Sequence, residues 1–428
     1  MKRLLSIAVP LIISLSLLFC TRSPDNRLSF AVGGAPAELD FWQALSDTFT
    51  ARTGIEIDLI RQPTDTDQRR QSLVTSLSSR KAQPDVFLMD VAWIAQFAAS
   101  KWLHPLDQLM VSATYDTVFF DTIVGQVDRY DNTLVALPVY IDGGMLYYRE
   151  DLLKKYNQQV PQTWQDLVAT SRKIMTQQRK VNPRFYGFVW QGAQYEGLVC
   201  TFLEFAGSNG GGIEITENAI RVNTEQNREA LKLMKDFIHG NAISPPNTYT
   251  EMKEEEVRTF FQNGNALFER NWPYAWKLHN EESSPVAENV GIAPLPHFPG
   301  GRSVATLGGW HVGISPFSRL KKEAWQFVAF ITSYETQKKL ALELGWNPGR
   351  KDVYQDTEVL KYMPHFKTLR DAFTRAIARP NVPYYTYISK ILQHHLNSAL
   401  AEKTSVDKAL ADAEKEMQDA FEQYAVVP

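Results

Sequence analysis

Residues 28–90 decide the fold: Leu28-Ser29-Phe30-Ala31-Val32, a stretch from Phe41 to Phe49, Ile55-Glu56-Ile57-Asp58-Leu59, a stretch from Arg69 to Leu77, and Asp85-Val86-Phe87-Leu88-Met89-Asp90. The first, third and fifth are short and rich in apolar or β-branched residues, as strands are. Phe41, Trp42, Leu45 and Phe49 recur at helical spacing, and Gly33-Gly34 ends the first strand. Strand, helix, strand, helix, strand within one short span predicts a layered α/β fold with helices packed on a sheet.

The same alternation continues downstream. Strands are predicted at Leu134–Pro138 and Val290–Leu295, and a loop feeding a strand at Leu307–Ile314. Helices are predicted from Glu150 to Tyr156, from a Thr163 cap through Met175, from a Thr224 cap through His239, from Ala324 to Leu344 and from Lys408 to Tyr424. The 428 residues exceed one ordinary domain, yet no repeat or polar linker divides them. The domains are therefore expected to intertwine, with the chain crossing between them more than once.

Composition excludes several functions. Lys+Arg total 45 and Asp+Glu 48, so the chain lacks the basic excess of a nucleic-acid binder. Two cysteines, Cys20 and Cys200, cannot build a disulfide scaffold or a four-ligand zinc site. HExxH, CxxC and GxSxG are absent. His394-His395 would point about 100° apart on a helix, which disfavours a shared metal. The glycine-rich stretch Gly207–Gly212 has no following Lys-Ser/Thr and reads as a loop. No cofactor or metal is expected.

The N-terminus reads as an address. Lys2 and Arg3 precede the apolar run Leu4–Phe19, the layout of a secretory signal peptide over residues 1–19. Leu17-Leu18-Phe19-Cys20 resembles a lipobox, with Phe19 where a small residue is usual. Cys20 is then the lipidation site, and the protein is expected on the extracytoplasmic or periplasmic face of the cell membrane, held by that lipid. An uncleaved anchor is the competing reading. Cys200 reads as a buried free thiol.

Aromatic, acidic and glycine residues gather at apparent strand ends: Asp90 with Trp93, Tyr140 and Asp142 beside Gly143-Gly144, Trp272-Pro273-Tyr274, and Gly308-Gly309-Trp310. Strand ends form the ligand crevice of open α/β sheets. A sugar needs this combination. Its C–H faces pack on flat rings, its hydroxyls donate to carboxylates, and glycine admits close backbone approach. Trp276 and Trp325 sit at helical spacing with apolar neighbours and read as core. Paired acids also suit a glycoside hydrolase, the alternative function. Structural readings stay open beside these: Tyr274 as a packing residue, Asp142 as a turn former, Arg379 as a cap or ion-pair partner.

Longer motifs carry a family resemblance. Phe30–Pro36, Pro84–Trp93, Ala136–Gly144, Phe268–Trp276, Ala305–His311 and Arg379–Tyr385 are similar to segments of the family 1 extracellular solute-binding proteins of ABC sugar importers. The resemblance runs from about Leu28 to about Tyr424. It implies a two-lobed periplasmic-binding-protein-like fold (type II) with the ligand between lobes joined by a multi-strand hinge. It implies one lobe from 28–139 and 293–340 and a second from 140–292 and 341–428. It implies a non-enzymatic monomer that captures an α-linked disaccharide such as trehalose or maltose and delivers it to the transmembrane subunits of an ABC permease. The residues implied to face the sugar are Glu38, Arg69, Asp90, Tyr140, Asp142, Trp272, Tyr274, Gly308, Gly309, Trp310 and Arg379.

Overall fold

The computed structural model describes residues 27–34, 36–110, 115–373 and 376–425. Cys20 and the signal segment lie outside the described residues. The chain opens with strand β1 (Arg27–Gly33), helix α1 (Pro36–Thr53), β2 (Glu56–Gln62), α2 (Thr66–Ser78) and β3 (Val86–Asp90). These are the five elements predicted from 28–90. Phe41, Trp42, Leu45 and Phe49 form the buried side of α1, as their spacing requires.

Next come β4 (Leu137–Gly143), β5 (Met145–Arg149), α3 (Trp164–Gln178), β6 (Tyr186–Val189), α4 (Glu196–Gly207) and α5 (Glu225–Ile238). Thr163 and Asp166 close a reciprocal capping box on α3. The chain continues through α6 (Glu254–Gln262), β7 (Ala266–Asn271), β8 (Val290–Pro294), β9 (Leu307–Ile314), α7 (Lys321–Ile331) and α8 (Tyr334–Leu344). It finishes with α9 (Phe366–Phe373), α10 (Tyr385–Leu400) and α11 (Val406–Ala425).

Two sheets organise the lobes. The first has the order β2-β1-β3-β9-β4, with β1 parallel to β2 and β3, and β9 antiparallel to β3 and β4. The second has the order β8-β5-β7-β6. Helices α3, α4, α5, α10 and α11 pack the second lobe into one apolar core around Trp164, Phe205 and Phe237.

Several expectations change. Leu307–Ile314 is strand throughout, because β9 is paired on both sides. The predicted helix Ala324–Leu344 is two helices, since the Ser333 hydroxyl accepts from Thr336 N–H and starts a new one. Helix α4 escaped prediction because its residues Gly197–Ala206 are all buried, which leaves no amphipathic stripe to read. Sheet pairing places the crossings between the two sheets. Tyr140–Gly143 belong to the first sheet, because β4 pairs with β9 as far as Gly143. Ala293 and Pro294 remain in the second sheet, paired with β5. Just beyond residue 340 the chain is still on the first lobe, where Pro348 bridges Tyr140 and Trp346 packs on its ring, and α10 and α11 then return to the second-lobe core.

The passage from one sheet to the other is abrupt. Gly144 alone separates β4 from β5. A Cβ there would fall 2.0 Å from Glu204 Oε1 and 2.6 Å from an Arg270 nitrogen. Glu204 and Arg270 are fully buried and paired, so neither can step aside. Glu204 also accepts from Thr306 N–H at 3.2 Å, on the return crossing before β9. We therefore expect Gly144→Ala to cost about 3 kcal/mol in denaturant unfolding, by overpacking against a buried ion pair. Gly125→Ala, whose Cβ would meet nothing within 4 Å, serves as the mild control.

Candidate functional site

The first wall of the site is written in strand register. Trp310 on β9 lies opposite Asp90 of β3 on one side and opposite Tyr140 of β4 on the other. Gly308 lies opposite Asp142. One row across three strands thus gathers residues far apart in sequence. A register shift between Trp310 and His311 breaks the alternation of β9, the device by which a strand re-aims a side chain. Gly309 has φ +124°, and a Cβ there would meet the Tyr140 carbonyl oxygen at 2.4 Å, so glycine is required. Arg69 of α2 lays its guanidinium 4.4 Å from the Trp310 ring centre, while its Nε donates to the Pro63 carbonyl at 2.6 Å. Trp346 packs on Tyr140 with ring centres 4.1 Å apart.

The second wall grows from the end of β7. Trp272 follows Asn271 directly, and its backbone is held at two points. The Asn271 side chain accepts from Trp272 N–H at 2.8 Å, and Tyr147 OH donates to the Trp272 carbonyl at 2.9 Å. Arg270 places its guanidinium 4.0 Å from the centre of the Trp272 ring. Burial works against the Arg270 charge, and Glu204 outweighs it, so the guanidinium stays ionised. Tyr274 OH donates to Glu255 at 2.6 Å.

Arg379 ties the walls together. It donates at 2.8 Å to Asp90 on the first lobe and at 2.8 Å to Glu196, the first residue of α4, on the second. Near the cleft edge, Lys253 donates to Asp65 at 2.9 Å, again from one lobe to the other. These partners are acids of the cavity wall; the helix-cap role weighed for Arg379 is not what it performs.

Between the walls lies a cavity of about 350 Å³. Glu38, Arg69, Asp90, Tyr140, Asp142, Trp272, Tyr274, Gly308, Gly309, Trp310 and Arg379 all line it. Trp310 gets there from a strand interior, a correction to the loop position its two glycines suggested. Trp325 is buried in the core, and Trp276 packs on His365 away from the cavity. His395 pairs with Glu416, and no group of metal-binding side chains occurs among the described residues. Cys200 is a buried free thiol on the cavity wall.

Sequence reading missed Tyr195, Glu196, Lys253, Glu254, Glu255 and Trp346, which also line the cavity. Glu196 opens a helix that carries no stripe. Lys253–Glu256 is a charged run of the kind that ordinarily faces water. The one available signal was acid density in the first turn of a short helix.

The cavity is rich in acids, and their proximity is measurable. Asp142 keeps part of its surface toward the cavity. Burial pushes its carboxyl up to about 7, with Asp90 and Glu38 adding repulsion and Arg270 opposing it. A carboxyl raised on folding costs stability where it is ionised. That cost is absent below the unfolded value near 4 and grows as pH rises toward 7. Asp142→Asn is therefore expected to melt higher than the parent at pH 8 and to lose that advantage at pH 4, both without ligand. Thermal melts across that range check it, and parallel curves would contradict it.

Comparisons with known proteins agree with this architecture. Residues 35–338 match the family described as bacterial extracellular solute-binding protein. A probable ABC transporter-binding protein of Deinococcus radiodurans is 34% identical over 414 residues, covering 95% of this chain and 97% of its own. The maltose-bound MalE3 of T. maritima superposes with a TM-score of 0.85 at 37% identity, over 92% of this chain and 99% of that one. A solute-binding protein of Thermotoga lettingae, bound to α-D-tagatose, shares the fold at a TM-score of 0.82 and 23% identity, over 92% and 99% of the two chains. The matching family is one of solute-binding proteins rather than enzymes, so the hydrolase alternative falls. Two sheets, a cleft between them and a match over most of the chain lead to one conclusion: the chain belongs to the bacterial extracellular solute-binding protein family.

Proposed function

We propose that the protein captures an α-linked disaccharide, trehalose or maltose, between its lobes and hands it unchanged to the transmembrane subunits of an ABC importer. One observation carries this reading: indole and phenol rings, carboxylates and arginines from both lobes converge on a single cavity of about 350 Å³. That volume lies near the lower end of the roughly 300–1,000 Å³ typical of small-molecule pockets. The maltose-bound relative at 37% identity supports the choice of sugar.

The chemistry follows from the walls. Trp272 and Trp310 offer flat apolar faces to the C–H surfaces of sugar rings. Asp90, Asp142 and Glu38 accept from hydroxyls, and Arg69 and Arg379 donate to ring or bridging oxygens. A sugar lacking one of these hydroxyls leaves a buried group unpaired, at about 1–3 kcal/mol. Gly308 and Gly309 bring backbone close to the ligand. Only the closed arrangement presents both walls to one molecule, so binding shifts the lobes toward closure by that difference in affinity. The closed shape is what the permease reads. The protein acts as a monomer with no cofactor, anchored outside the cytoplasmic membrane by lipid on Cys20. No described helix is long and apolar enough to cross a membrane.

Isothermal titration tests the reading. The parent is expected to bind trehalose, maltose or both. Trp272→Ala should weaken binding by about thirtyfold or more, the ~2 kcal/mol of a stacked hot-spot aromatic, with the fold intact by thermal melt. Asp142→Ala should weaken it comparably. Unchanged affinity in both variants removes these residues from the site, and glucose released from either disaccharide by purified protein ends the carrier reading. Metabolic labelling with palmitate should mark the parent in cells but not Cys20→Ser.

A further inference from the structure

Lys253, Glu254, Glu255 and Glu256 form a charged run at the start of α6, yet the run does not face water as a unit. All four line the cavity, but Glu256 is exposed, whereas Glu254 and Glu255 are half-buried. Each of the two inward carboxylates meets one ring of the Trp272-Pro273-Tyr274 motif. Trp272 Nε1–H donates to Glu254 Oε1 at 3.4 Å. Tyr274 OH donates to Glu255 Oε1 at 2.6 Å. Neither contact stands alone. The Asn271 amide donates to the Glu254 carbonyl at 3.2 Å, tying the helix start to the end of β7. Arg258, one turn along α6, donates to Glu255 Oε2 at 3.0 and 2.7 Å and holds that carboxylate in place.

The Trp272 ring is thereby restrained on three sides. Arg270 lies 4.0 Å from its centre on one face. Gly308 leaves so little room at the far edge that a Cβ there would sit 3.1 Å from Cζ3. Glu254 takes the N–H of this partly buried indole. The remaining face turns to the cavity. A ring already held in its bound orientation surrenders no rotamer freedom when the ligand arrives, and that saving appears as affinity.

We propose that the Glu254-Glu255 pair is the positioning element of the aromatic platform, each carboxylate fixing one ring by its polar edge so that both rings are preorganised for the ligand. The inference rests on the sugar-binding reading above and extends it to residues outside the expected set. Positioning, as opposed to general support, predicts that each acid acts through its own ring and that an amide oxygen can stand in for the carboxylate.

The test titrates maltose and trehalose into the parent, E254A, E254Q, E255A, Y274F and the double variant E255A/Y274F. E254A and E255A should each bind about tenfold more weakly, the worth of one hydrogen bond to a charged group. E254Q, whose amide oxygen still accepts the N–H, should regain most of that loss. Y274F keeps the ring and removes only the hydroxyl, so E255A should cost nothing further in that background. A second readout needs no sugar. The Trp272 indole N–H resonance, identified by its loss in W272F, should move in E254A and return in E254Q. Parent-like affinity in E254A and E255A overturns the proposal, as does a full additional loss on Y274F. An indole resonance that stays in place in E254A also overturns it, with or without ligand. A parent that binds neither sugar overturns the disaccharide reading instead, and the resonance then decides the positioning contact by itself.

Discussion

The Glu204–Arg270 ion pair is the contact on which the rest of the molecule depends. Both side chains are fully buried, and both Arg270 nitrogens that face Glu204 are within 2.8 Å of its oxygens. A buried pair is expensive to desolvate and is weak evidence for stability by itself. Its position explains its presence. Glu204 sits against Gly144, where the chain leaves the first sheet, and accepts from Thr306, where the chain comes back. Arg270, on its other side, lies under the Trp272 ring. One charge pair therefore joins two crossings of the hinge to one wall of the cleft. Breaking it would leave an unpaired charge in the interior, so the geometry of all three is held by a single large penalty.

A second set of charges spans the cleft itself. Arg379 holds Asp90 and Glu196 across the gap, and Lys253 holds Asp65. Glu196 is further fixed by Tyr385 and Ser389 of α10. The cavity nevertheless carries more acids than cations, and Asp142 feels that excess. Such a wall repels anions and suits a neutral molecule with many hydroxyls, each of which satisfies an acceptor without adding charge.

Much of this was legible in residue order. Alternating short strands and helices in 28–90 fixed an α/β fold by period and length. Trp272-Pro273-Tyr274 and Gly308-Gly309-Trp310 stood out because rings beside proline or glycine read as loop or element-end positions, where ligand contacts concentrate. What escaped was whatever lacked a local mark. Helix α4 is buried all round, so it shows no stripe. Glu254 and Glu255 sit in a charged run that looks solvated. The end of β4 carries no local mark either, because it depends on β9, a partner more than 160 positions away.

The sequence by itself determined most of the elements, the core-facing side of α1, the caps at Thr163 and Thr224, and the chemical kinds available for a site, because these follow from neighbours within a few residues. Only the tertiary structure decided that Asp90, Trp310 and Tyr140 form one row, that Arg379 reaches two lobes, and that two acids of α6 grip the rings after β7. Those facts arise from sheet register and from the packing of one lobe against the other. Both are long-range, and no short stretch of chain encodes either.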